Sequence, residues 1–152
     1  MNKKKQKKNY TRDKRSPTPA NETTSFVMSR IGYKNTKPEI KLRKALWHSG
    51  LKGYRIHYKK APGKPDIAFP GKKTAIFVHG CYWHRCPHCK PSVPRNNVEF
   101  WKNKFQKNMK RDKRKEQDLI NYGWKVITVW ECKIKKELDE QVERIKSELK
   151  YI

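Results

Sequence analysis

The sequence predicts a single α/β domain, a central mixed sheet flanked by helices, and three observations predict it. Three strand-like stretches follow one helix-like stretch, a long polar helix pattern leads into a further buried strand, "WKVITVW", and the last segment repeats apolar residues at helical intervals. The order is α-β-β-β-α-β-α. With 152 residues the chain suits one core better than two cores and a linker.

The elements follow in order. Residues 1–27, "MNKKKQKKNYTRDKRSPTPANETTSFV", hold almost no apolar side chain before Phe26, so they are expected to form a basic flexible tail, with the domain spanning 28–152. That arm either stays solvated or tracks DNA phosphates. "TKPEIKLRKALWHSG" announces the first helix: Thr36 suits the N-cap, Pro38 the first turn, Glu39 the capping-box position and Gly50 the stop, with Ile40, Leu46 and Trp47 as its buried stripe. "YRIHY" (residues 54–58) alternates like a strand, and "DIAF" and "TAIFVH" flank the turn Pro70-Gly71 as a hairpin. "VEFWKNKFQKNMKRDKRKEQDLINYG" reads as a long helix closed by Gly123, with Phe105, Met109, Asp112, Leu119 and Ile120 on one side. Leu138, Val142, Ile145 and Leu149 form the stripe of a final amphipathic helix.

Charge narrows the partner. Lys and Arg number 39 against 14 Asp and Glu, a formal charge of +25, which implies a polyanion and an attraction that salt weakens. Nucleic acid is the expected partner, and Lys107, Lys110 and Arg114 are candidate phosphate contacts. No stretch approaches a membrane span and the N-terminal residues lack the apolar core of a secretory signal, so a cytoplasmic protein, without a membrane partner, is expected. There thiols stay reduced, and cysteines read as metal ligands rather than disulfides.

"VHGCYWHRCPHCK" (residues 78–90) concentrates the chemistry. Cys86 and Cys89 form a C-x-x-C knuckle, Cys81 lies five residues before it, and Cys132 follows the last strand. Together they predict a closed structural Zn²⁺ site, with His88 the spare candidate; buried free thiols or a redox pair are the alternatives. Asp66 opens one hairpin arm opposite the carbonyls of the next, an oxygen site suited to Mg²⁺, although aspartates in turns also serve as plain hydrogen-bond acceptors. Glu39 likewise has an ordinary place in the capping box.

"GKPDIAFPGKKTAIFVHGCYWHRCPHC", "EFWKNKFQKNMKRDKR" and "GWKVITVWEC" together resemble the very short patch repair (Vsr) endonucleases, over residues 28 to 132. The resemblance implies a restriction-endonuclease-like fold and a DNA nickase that cuts beside the T of a T·G mismatch left by deaminated 5-methylcytosine. It makes Asp66 the catalytic metal ligand, with the Val78 carbonyl beside it and Glu39 holding the hydrated ion. His84 becomes the general base, Asp112 its orienting partner, and His79 a contact to the scissile phosphate or to water on the metal. Tyr82, Trp83 and Trp101 take the places of residues that wedge into DNA; ordinary core packing is the other reading. A monomer is expected, functionally paired with a cytosine-5 DNA methyltransferase.

Two departures qualify the resemblance. His and Cys are exchanged at positions 86 and 88 relative to the family's pattern, and Cys89 is added, which reads as a shifted knuckle. The restriction-type E-x-K element is absent, with Phe77 and His79 on the second hairpin arm instead. Two other functions compete: a nicking nuclease of a defence or mobile-element system with another target, and a non-catalytic zinc-stabilised nucleic-acid binder. The second has no need of Asp66.

Overall fold

The computed structural model describes residues 17–19 and 21–150. The chain divides into two compact units, Met1–Ile31 and Gly32–Ile152. In the first, the expected flexible tail falls partly on residues 1–16 and 20, outside the described residues, and partly on a helix, α1 (Glu22–Ser29). Its N-cap is Asn21, whose side chain accepts from the Thr24 amide at 2.8 Å. The helix runs past the boundary expected after residue 27. Its signal was an Asn before "ETTSFVMS", a capping residue rather than an apolar stripe.

The second unit carries the sheet. Its elements are α2 (Lys37–His48), β1 (Arg55–Ile56), β2 (Ile67–Phe69), a 3₁₀ turn (Pro70–Lys72), β3 (Thr74–His79), α3 (Cys81–His84), α4 (Val98–Asn121), β4 (Lys125–Trp130), α5 (Glu131–Lys136) and α6 (Leu138–Lys150). The strand order is β1-β2-β3-β4, antiparallel between β1, β2 and β3 and parallel between β3 and β4. The parallel pair is joined by α4, since two parallel strands need a crossover and a helix supplies it. This is the α/β arrangement of a mixed sheet with flanking helices, and it fits a restriction-endonuclease-like fold.

Alternation along β3 assigns the two faces. Ile76 and Val78 join Leu42 and Leu46 of α2, Ile134 of α5, and Val142, Ile145 and Leu149 of α6 in the larger core. Ala75 and Phe77 point to the other side, where they meet Leu119 of α4. Each fully buried Leu or Ile contributes about 1.5–3 kcal/mol, so the three-helix face anchors the sheet. The α4 face is thinner, and it is the face toward which His79, two residues beyond Phe77, is directed.

Several expected placements change. In α2 the buried stripe is Glu39, Leu42 and Leu46, while Trp47 is 51% exposed, stacked edge-on against Tyr54 at 6.5 Å. A buried carboxylate at the head of the stripe disguises its phase. In α4, Met109 and Ile120 are exposed, and Asn108 is buried instead. β1 shrinks from five residues to two because His57 takes a left-handed φ of 46°, although the amides of His57 and Tyr58 still donate to the carbonyls of Asp66 and Pro65.

Candidate active site

The β2–β3 ladder stops at Ile67↔Ile76, so the Val78 amide beyond it has no strand partner. The Asp66 carboxylate takes its place: Oδ2 accepts the Val78 N–H at 2.8 Å. The N–H and C=O of one strand residue project from the same edge, so the Val78 carbonyl lies on the side of Asp66. Burial first, and the nearby negative charge of Glu39 after it, push the Asp66 carboxyl up to about 6 despite the amide bond.

One step along β3, His79 stacks on His84 of α3 with ring centroids 4.1 Å apart and planes 7° off parallel. The edge of Trp130, its register partner on β4, packs against it at 5.2 Å. Burial first, then the neighbouring His84, hold the His79 imidazole down at about 4. His84 Nδ1 lies 2.5 Å from Oδ2 of Asp112, which α4 carries across the face of the sheet. Burial raises the Asp112 carboxyl, but the hydrogen bond and charge of His84 outweigh it and leave it below the ordinary range. Asp66, His79, His84 and Asp112 line one cavity of about 290 Å³.

Glu39 approaches from the head of α2. Its Oε2 accepts the Asn35 amide and its Oε1 the Thr36 hydroxyl, both at 2.9 Å; Thr36 therefore donates to Glu39 instead of capping a helix amide, and the capping box is only partly formed. His57, which sequence reasoning passed over, reaches within 3.8 Å of Glu39 Oε2 and 3.3 Å of Asn35 Oδ1. Its signal was only its place directly after β1, where a left-handed turn cuts the strand short.

The aromatic residues gather where α3 meets the first turns of α4. Tyr82 packs edge-on against Trp83, Trp101 and Phe105, and Trp101 lies nearly parallel to Phe105. Tyr82, Trp83 and Trp101 remain half-exposed while Phe105 is buried. Asn108 fixes the backbone behind them, its Nδ2 donating to the Trp83 carbonyl at 3.1 Å. Lys107, Lys110 and Arg114 are exposed. At 100° per residue they sit well round the helix from Asp112, and the basic residues of α4 that line the cavity are Arg111 and Lys115. Asn108 and Lys115 lie four before and three after Asp112, a spacing visible in the sequence.

The four cysteines converge. A sulfur from each of Cys81, Cys86, Cys89 and Cys132 lies within 4.8 Å of the other three, while His88 is exposed and its ring stands outside the set. His88 contributes its amide, which donates to Cys86 Sγ at 3.4 Å; the Cys132 amide donates to Cys81 Sγ at 3.3 Å. The "WEC" sequence of residues 130–132 thus divides its work: Trp130 packs on His79, Glu131 Oε2 accepts the Cys81 amide at 3.3 Å, and Cys132 joins the cluster.

A family model described as DNA mismatch endonuclease Vsr matches residues 10–90. A type II nicking enzyme of Neisseria meningitidis serogroup A is 42% identical over 128 residues, covering 83% of this chain and 91% of the relative. A type II nicking enzyme of Xanthomonas oryzae is 38% identical, covering 74% of this chain and 82% of its own. The DNA mismatch endonuclease Vsr of Escherichia coli is 38% identical over 114 residues, with 74% and 72% covered. The chain belongs to the Vsr family.

It is therefore a DNA endonuclease, and membership implies a divalent metal. The residues of this Vsr protein fit one. Asp66 and Glu39 bring two carboxylates together with the His57 imidazole, ligand atoms within 4.8 Å of one another, and among the described residues no lysine or arginine pairs with either carboxylate. The cysteine cluster also fits a metal: Cys86 Sγ and Cys132 Sγ are 3.7 Å apart, and metal–sulfur bonds of about 2.3 Å in a tetrahedron put sulfurs ~3.8 Å apart. Among the described residues no helix is long and apolar enough to cross a membrane.

Proposed function

We propose that this Vsr endonuclease is a Mg²⁺-dependent nickase that hydrolyses one strand of duplex DNA beside the T of a T·G mismatch arising from deaminated 5-methylcytosine. The observation that carries the reading is the convergence of Asp66, His79 and the His84–Asp112 pair on one cavity, next to a half-exposed aromatic cluster. The Asp112 carboxylate requires a donor at Nδ1 of His84, which leaves Nε2 with its lone pair free. That nitrogen takes a proton from the attacking water as its oxygen bonds to phosphorus and the P–O bond to one sugar oxygen breaks, the leaving oxygen taking a proton from solvent, and Asp112 stabilises the imidazolium that forms. His79, held neutral, orients the phosphate by hydrogen bonding without adding charge.

Asp66 and the Val78 carbonyl, with Glu39 alongside, would hold Mg²⁺, whose bound form polarises the scissile phosphate. The four cysteines would hold a structural Zn²⁺ that fixes α3, and Tyr82, Trp83 and Trp101 enter the stack where the mismatch makes unstacking cheap. The protein acts as a monomer and is functionally paired with a cytosine-5 methyltransferase, whose methylated cytosines become T·G mismatches on deamination. The name of the E. coli relative supports mismatch action, while those of the Neisseria and Xanthomonas relatives give nicking without a target, which also suits a second reading, nicking at another target in a defence system. Nicking of a panel of T·G, other mismatched and matched duplexes with varied flanks, with Mg²⁺ or EDTA, decides. A T·G preference of about tenfold or more supports the first; equal cutting of matched duplex overturns it.

A further inference from the structure

The catalytic cavity contains a cation that the mechanism above leaves unused. Lys115 of α4 lines it together with Asp66, His79, His84 and Asp112. Lys64 and Arg111, the other basic residues there, are exposed, whereas Lys115 is half-buried. Arg111 also spends a guanidinium N–H on Asn108 Oδ1, at 3.2 Å. Among the described residues Lys115 makes no ion pair; its Nζ lies over the ring of Phe77, 6.0 Å from the centroid. Such a ring contact holds an ammonium only weakly, by roughly 0.5–2 kcal/mol, so its charge is left available to an incoming anion.

The stem of Lys115 is nevertheless held in place. It passes against Gly63, three residues before Asp66, so closely that a Cβ on Gly63 would stand 2.9 Å from Cβ of Lys115 and 3.1 Å from its Cγ. Gly63 has a φ of +71°, so the loop leading to Asp66 and the helix carrying Lys115 meet at a position where a side chain would fit neither the space nor the backbone. The charge of Lys115 reaches the site, drawing the Asp66 carboxyl and the His79 imidazole downward as a lesser influence on each.

We propose that Lys115 is a catalytic residue whose ammonium contacts a non-bridging oxygen of the scissile phosphodiester and stabilises the negative charge that builds there during hydrolysis. The inference rests on the reading of this cavity as the catalytic centre and is independent of the T·G preference. A phosphodiester entering between the carboxylates of Asp66 and Asp112 meets like charge, and a fixed ammonium on the α4 side supplies an opposing one. Because it is pre-positioned in a partly dry site, its attraction grows with the charge on the transferring phosphoryl group rather than being spent on ground-state binding.

The test measures single-turnover nicking at saturating DNA, and DNA affinity by fluorescence anisotropy, on a duplex that the wild-type protein cuts. Lys115→Met is expected to slow turnover by about 10²–10³-fold and to change Kd by less than ~3-fold. Lys115→Arg should retain more activity than Lys115→Met, and methylammonium ions should partly restore Lys115→Met, a rescue that a merely structural role would not give. Turnover of Lys115→Met within ~3-fold of wild type, a defect confined to Kd, or a turnover loss that neither Arg nor methylammonium relieves overturns the proposal. His84→Ala and Asp66→Ala separate its failure from that of the site. If both are inactive and Lys115→Met cuts normally, only the role of Lys115 falls; if both cut normally, the cavity is not the catalytic centre and the proposal falls with it.

Discussion

Asp66 is poised between two states that its position makes unequal. Its folded-state pKa, about 6, stands above the ordinary value of 3.8, chiefly through burial. The native protein therefore binds more protons than the unfolded chain across that window, and the stability of the metal-free protein falls as pH rises from about 4 to 6. Two units correspond to an upper limit of roughly 2–3 kcal/mol. Asp66→Asn keeps an oxygen for the Val78 amide and removes the charge, so in EDTA it should melt above wild type at pH 7.5 and close to it at pH 4.5, while nicking is lost. Equal melting shifts at both pH values would show that the carboxylate is not strained. At the neighbouring pair, His84→Ala should cost about a hundredfold or more in turnover. Asp112→Asn should cost a large part of that, because an amide accepts more weakly and does not stabilise imidazolium; full activity in the Asn variant would separate Asp112 from the base.

At the scale of the element, α3 is the crowded one. In four residues, Cys81–His84, it carries a sulfur of the cluster, two aromatic rings and the proposed base. So short a helix has little stability of its own, and its geometry comes from outside: Glu131 on the Cys81 amide, Asn108 on the Trp83 carbonyl, and the cysteine cluster. Cys89→Ser should release one zinc per protein and loosen α3, whereas His88→Ala should keep the metal, because its exposed ring stands apart from the sulfurs. Metal analysis of the two purified variants gives the answer, and zinc lost only from His88→Ala would reverse the assignment. The spacing of the cysteines made this convergence legible in the sequence, as period-two alternation did for β3 and a Gly stop did for α4. What stayed hidden depended on partners far along the chain. Glu39 is buried because Thr36 and Asn35 satisfy it, Met109 is exposed because α4 docks through Asn108, and Lys115 enters the site because Gly63 lets it come close. None of these follows from local periodicity.

At the scale of the whole molecule the charge of +25 acts without reference to sequence. Phosphate contacts position a protein on DNA and release counterions, so affinity falls with salt by a logarithmic slope of about −0.9 per contact. Lys107, Lys110 and Arg114, exposed and turned away from Asp112 on α4, are proposed to act in this general attraction; neutral replacements there should weaken matched and mismatched duplexes alike. The lysine-rich residues 1–16 make the same kind of contribution if they track the backbone. They lie outside the sheet unit, Gly32–Ile152, and the melting temperature of the deletion variant separates a change in binding from a loss of fold. The expected result is a shallower slope of log Kd against log salt, by about one unit for each phosphate released, with single-turnover nicking at saturating DNA unaltered. That division follows from where the charges lie: the groups proposed to touch the reacting phosphate line the cavity beside α4, and charge remote from it is expected to act on encounter and retention alone. An unchanged slope would mean that the N-terminal residues remain solvated in the complex and that the sheet unit makes the phosphate contacts by itself.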